Sequence, residues 1–228
     1  MHEATLVIAE SDLIWKEQRV HLAHDAQGRT YHVKRLTRPQ IQGEVLRSIL
    51  ARAVGLCSPR VSVMVDERLE PIGTIAPNLE LWGPVDLKHP ELLLAFSVKA
   101  TLGDEDLFEA ATMLQNLALD QRGRLWVLEC VNMALTYVSG WYEGQPNILG
   151  SLFSFGLYAQ FHREHAPQAL GRWERAAALG LDAFDGPGLR LLGDVRLLNQ
   201  SLGRLVEQML EVFNGPPKPR ATPPRALA

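Results

Sequence analysis

The sequence predicts an α+β fold in two parts, a small antiparallel sheet lobe with one helix followed by a mainly helical lobe. Three observations carry this prediction. Alternating polar and apolar residues fill the first third of the chain, helical periodicity dominates the second half, and a proline-marked stretch lies between them. Residues 77 to 90 hold three prolines, one glycine and Trp82, a composition that suits a hinge. The expected organisation is a sheet lobe over residues 1–76, a hinge over 77–90 and a helical lobe over 91–214. The tail, 215–228, has five prolines among small and basic residues and is expected to be disordered.

The elements follow in order. Arg19–Ala23 alternates, Asp25-Ala-Gln-Gly28 supplies turn residues, and Arg29–Val33 alternates again, which predicts a hairpin. Pro39 then opens a helix in which Ile41, Val45, Leu46, Ile49, Leu50, Ala53 and Val54 recur at helical spacing, with Gly55 as its C-cap. Ser58–Val65 is rich in β-branched residues and predicts a strand, broken at Asp66-Glu-Arg68 and partnered by Ile72–Ile75. In the second half, Leu107, Ala111, Leu114 and Ala118 predict one helix, with Asp104 or Asp106 as its N-cap. The turn Asp120-Gln-Arg-Gly123 leads into Arg124–Glu129, a short apolar run that predicts a buried strand. Three more helices are expected, over about residues 148–162, 168–179 and 195–213.

Composition narrows the function classes. A net charge of −3 and 21% charged residues demand neither nucleic acid nor an anionic membrane as partner. No apolar stretch reaches the roughly 18 residues of a membrane span, and the first residues lack a signal-peptide pattern, so the expectation is a cytoplasmic protein. Cys57 and Cys130 sit among apolar neighbours and are expected to be reduced core thiols. His162 and His165 lie one helical turn apart, but no third metal ligand has useful spacing, so a solvated helix end is expected.

The sharpest functional signal is a pair of opposite charges. Lys34 ends the alternating run of the hairpin, and Glu44 lies about ten residues on, inside the first helix. A strand lysine and a helix glutamate can meet across one cleft, provided the cleft lies on the sheet face opposite Val33. In kinase-like folds such a pair holds the lysine on nucleotide phosphates. The surrounding pattern extends the signal. Val33-Lys34 is followed by Glu44-Val-Leu46, Leu50-Ala51, Gly55-Leu56 and Pro59, and later by Asn116-Leu-Ala-Leu-Asp120-Gln-Arg-Gly123-Arg124-Leu-Trp126-Val-Leu-Glu129. Over residues 29 to 135 this order resembles the HipA-like and phosphatidylinositol-kinase-like branch of the kinase-like fold.

The resemblance implies a two-lobed kinase-like architecture, with Lys34, Glu44, Asn116 and Glu129 as cofactor-binding residues, ATP and Mg²⁺ as cofactors, and Asn116 and Glu129 as the metal ligands. It also exposes departures. The position of the family's proton-accepting aspartate holds Ala111, and that of its magnesium-binding aspartate holds Glu129, one methylene longer. Magnesium demands near-ideal octahedral geometry, so that extra length matters. No glycine lies between Ala9 and Val20 to bring backbone N–H groups onto phosphates. A catalytically degenerate domain that acts through a protein partner or self-association is therefore expected, with an active phosphotransferase as the alternative. Lys34, Arg35, Arg38, Arg47, Arg52 and Arg60 concentrate around the first helix, so a nucleic-acid-binding module is a second alternative. The aromatic run from Trp141 to Phe161 is a candidate docking face, although its spacing also suits a core.

Overall fold

The computed structural model of the chain describes residues 6–15, 22–79, 83, 85–86, 88–101, 114, 116–128, 163–179, 187–192, 207 and 210. Within them the fold is α+β. Its strands are β1 (Val7–Ala9), β2 (Ile14–Trp15), β3 (Leu22–His24), β4 (Thr30–Arg35), β5 (Ser62–Val65), β6 (Pro71–Pro77), β7 (Leu117–Leu119) and β8 (Leu125–Val127). Its helices are α1 (Arg38–Ala53), α2 (Leu92–Thr101), α3 (Ala166–Leu179) and α4 (Pro187–Leu192).

Six strands form one sheet in the order β1-β5-β6-β4-β3-β2. The expected antiparallel sheet is corrected here, because β1 pairs with β5 in parallel while the other pairs are antiparallel. β1 and β2 are opposite edges of this sheet, yet only residues 10–13 separate them along the chain. Four linking residues span at most about 18 Å, so the sheet must curl until its edges approach. Leu13, in that link, joins Ala23, Val33, Met64 and Ile75 in a small core on one face of the sheet. The opposite face carries Val63 and Val65, which join α1 in the main core. Strand parity thus places Val33 on one face and Lys34 on the other.

The β3–β4 hairpin turns through Asp25-Ala-Gln-Gly-Arg29. The Asp25 carboxylate accepts from the backbone N–H of Gln27 and Arg29, and Gly28 takes φ +77°. β7 and β8 turn through Asp120-Gln-Arg-Gly-Arg124 with the same bonds, to Arg122 and Arg124, and Gly123 has φ +72°. The β5–β6 turn repeats the scheme, with Asp66 accepting from Arg68 and Glu70. There Leu69 occupies the left-handed position at φ 62°, where glycine stands in the other two turns. Among the described residues one turn chemistry closes three hairpins.

Helix α1 begins where Gln40 Oε1 accepts from both the backbone N–H and the hydroxyl of Thr37. It ends as the Leu56 and Gly55 N–H groups bond the carbonyls of Ala51 and Arg52, with Gly55 at φ +80°. Residues 43 to 51 are all buried, a fuller burial than one apolar stripe predicts. The sheet covers one side, while α2, α4 and the β7–β8 hairpin cover others. The hairpin docks through a bridge from Trp126 to Cys57 and a hydrogen bond from the Val127 N–H to the Cys57 carbonyl.

Helix α2 lies in a stretch for which the sequence predicted no element. The helix predicted from Leu107 to Ala118 is corrected at its C-terminal end. Asn116 adopts φ 65°, which breaks any helix, and Ala118 belongs to β7. Its remaining span falls mostly outside the described residues, as do the predicted helices at 148–162 and 195–213 and the tail. The helix predicted at 168–179 is α3, which starts two residues earlier with Pro167 in its first turn. It packs through Trp173, fully buried, whose indole N–H donates to Ser97 Oγ at 2.8 Å. Among the described residues no helix is long and apolar enough to cross a membrane.

Candidate functional site

Strand β4 delivers Lys34 and helix α1 delivers Glu44 to the same side of the sheet. Lys34 Nζ donates to Glu44 Oε1 at 3.0 Å, with the lysine side chain 33% exposed and the glutamate 10%. The sequence thus located this contact correctly. What it missed is the third member. Arg47, one turn along α1 and 1% exposed, donates to the other oxygen, Glu44 Oε2, at 2.9 Å. Its second terminal nitrogen donates to Ser58 Oγ at 2.9 Å and to the Val127 carbonyl at 2.7 Å. Ser58 in turn donates to the Val127 carbonyl at 3.0 Å. A buried arginine needs such partners, because unpaired charge in the interior is costly.

Lys34, Glu44 and Arg47 line a cavity of about 240 Å³. Its walls come from β4 (His32, Lys34), β6 (Thr74, Ala76, Pro77), α1 (Glu44, Arg47) and the segment after α1 (Pro59, Val61). Leu79, Asn116 and Leu128 complete it. The register explains the grouping. Lys34 faces Thr74 and His32 faces Ala76 across the β4–β6 ladder, so alternate residues of both strands meet on one face. Asn116 is held by its left-handed backbone, with its carbonyl accepting from the Leu128 N–H at 2.8 Å. Two cationic side chains therefore share one carboxylate at the cavity wall.

Of the four predicted cofactor-binding residues, the structure brings Lys34, Glu44 and Asn116 to one cavity. Glu129, Ala111, Cys130, the aromatic run 141–161 and His162 lie outside the described residues. Among the described residues no group of three His, Cys, Asp or Glu side chains could hold a metal ion. Asn116 alone does not make a magnesium cage.

The predicted basic face is corrected at one residue. Arg47 is interior rather than solvated, and Arg38 donates to the carbonyls of Leu191 and Leu192 at the end of α4. Arg47 therefore serves the interior, while Arg35, Arg38 and Arg60 are exposed. Asp120, in the turn between β7 and β8, organises that turn. Burial pushes its carboxyl up, but the Arg124 backbone N–H, the Trp126 indole and the Arg124 guanidinium hold it well below the usual carboxylate range. Asp25 is lowered in the same way, with burial outweighed by bonds from Arg29 and Tyr31. Burial pushes the Cys57 thiol up, which suits a packed thiol better than a nucleophile.

No protein-family model matches the chain, and no curated protein matches it significantly.

Proposed function

We propose that the chain is a catalytically degenerate kinase-like domain that acts as a regulatory or interaction protein and accepts a nucleotide at the Lys34–Glu44 cavity. The observation that carries this reading is the 3.0 Å contact between Lys34 Nζ and Glu44 Oε1 at the cavity wall. A lysine held by a helix carboxylate is set to neutralise phosphate oxygens, since phosphoryl groups are recognised through position and charge rather than covalent chemistry. Asn116 stands on another wall of the same cavity, where the kinase-like pattern has a metal-binding amide. A magnesium site there would also need the Glu129 carboxylate.

Bound nucleotide would meet no proton acceptor at position 111, where alanine stands. General-base catalysis contributes about 10²–10⁴-fold, and the longer carboxylate of Glu129 removes more. The expected outcome is no transfer of labelled γ-phosphate from ATP above background, measured on casein, on phosphoinositide vesicles and on the chain itself. Robust transfer that Lys34→Ala abolishes would overturn the degenerate reading and establish an active kinase with an atypical site. A protein partner or a second copy of the chain then supplies the biological output. The aromatic run from Trp141 to Phe161 and the exposed first turn of α1 are the candidate contacts, since residues 43 to 51 of α1 are buried.

A further inference from the structure

We infer that Arg47 is a positioning residue that fixes the Lys34–Glu44 pair to the end of β8, so that the cavity is preformed as one unit. Its guanidinium joins three separate segments. It reaches Glu44 on α1, Ser58 in the segment after α1, and the carbonyl of Val127 on β8. Val127 precedes Leu128, a cavity residue whose N–H is held by the Asn116 carbonyl. The network therefore runs without a break from Lys34 through Glu44 and Arg47 to the wall that carries Asn116.

Packing alone gives no reason for an arginine here. A buried ion pair is often no more stabilising than a well-packed apolar pair, and the Arg47 Nε makes no hydrogen bond among the described residues. What arginine adds is a rigid fork that can hold a carboxylate and a carbonyl at once, which a lysine ammonium cannot do in the same way. With Oε2 held by Arg47, Glu44 presents Oε1 to Lys34 in one orientation. A ligand anion can then draw on Lys34 without leaving Glu44 unpaired in the interior. Resting on the cavity being a ligand site, this role is tested on the pair itself, so the two readings fail separately.

The test is the rate at which acetic anhydride acetylates Lys34 in the full chain, followed by peptide mass spectrometry at pH 8. In Arg47→Met the Glu44 carboxylate loses its anchor and leaves Lys34, whose amine becomes more reactive. The expected gain is roughly threefold or more, because an amine that no longer holds a carboxylate is freer to attack the anhydride. Loss of Arg47 without repositioning leaves Glu44 on Lys34 and gives no acceleration. An unchanged or slower rate in a folded Arg47→Met chain overturns the role. Should that variant fail to fold, Arg47→Lys is read instead. It keeps the charge but not the fork, and the same acceleration is expected; a wild-type rate overturns the role. Acceleration in a chain that binds no MgATP supports the positioning role and removes the nucleotide. MgATP binding with no acceleration does the reverse.

Discussion

Replacing Gly73 with alanine is expected to destabilise the fold by roughly 3 kcal/mol, near the upper end for overpacking a tight site. Gly73 lies in β6 opposite Arg35, beside the irregularity between Met64 and Val65 in β5. A Cβ built there overlaps the backbone carbonyl oxygen of Lys34 and comes within 2.9 Å of Met64 Cε. The carbonyl cannot move without shifting β4, so the strain falls on the strand that carries Lys34. For a chain of this size the loss corresponds to a melting temperature lower by about 6–12 °C. A Gly73→Ala melting curve that overlays the wild type would show that β4 and β6 are not in this register.

Glu44→Ala is expected to cost more than Lys34→Ala, although both break the same ion pair. Glu44 is the carboxylate that neutralises Arg47, which is 1% exposed. Removing it leaves a buried guanidinium without its counter-charge, a loss of about 3–5 kcal/mol. Lys34 is a third exposed, so water replaces much of what its removal loses, and the cost should stay under about 1 kcal/mol. Urea denaturation of the two variants measures the difference. Equal losses would mean that Arg47 does not depend on Glu44.

The Lys34–Glu44 contact was legible because two periodicities met. Alternation fixed which face of β4 carries Lys34, and helical spacing with Gly55 as its end fixed α1. Arg47 was misread for a physical reason. It stands among exposed-type residues in composition, but α1 is covered on several sides, so its polar face is interior too. The signal that could have shown this is Glu44 and Arg47 three apart among residues that leave no room for a solvated side. Helix α2 escaped detection because its sequence, Leu92-Leu-Leu-Ala-Phe-Ser-Val98, has no polar face; residues 92 to 99 are buried all round. Strand β7 was hidden because Leu114 and Ala118 mimic helical spacing, and only the left-handed turn at Asn116 separates them. The parallel partner of β5 was invisible because β1 has three residues, too few for alternation to register. The Asp-x-x-Gly-Arg segment before Trp126 resembled a family motif, yet Asp25-Ala-Gln-Gly-Arg29 before Tyr31 builds the same turn. That part of the motif reports hairpin chemistry rather than phosphate chemistry.

The most direct measurement of the central claim is a calorimetric titration of MgATP into the full chain, repeated with Lys34→Ala. The site is expected to bind MgATP with a Kd in the micromolar range, about −8 kcal/mol, and to weaken at least tenfold in the variant, the effect of about 1.4 kcal/mol. Absence of binding to the wild type at millimolar MgATP, or equal binding by a folded Lys34→Ala chain, would contradict a nucleotide site at the Lys34–Glu44 pair.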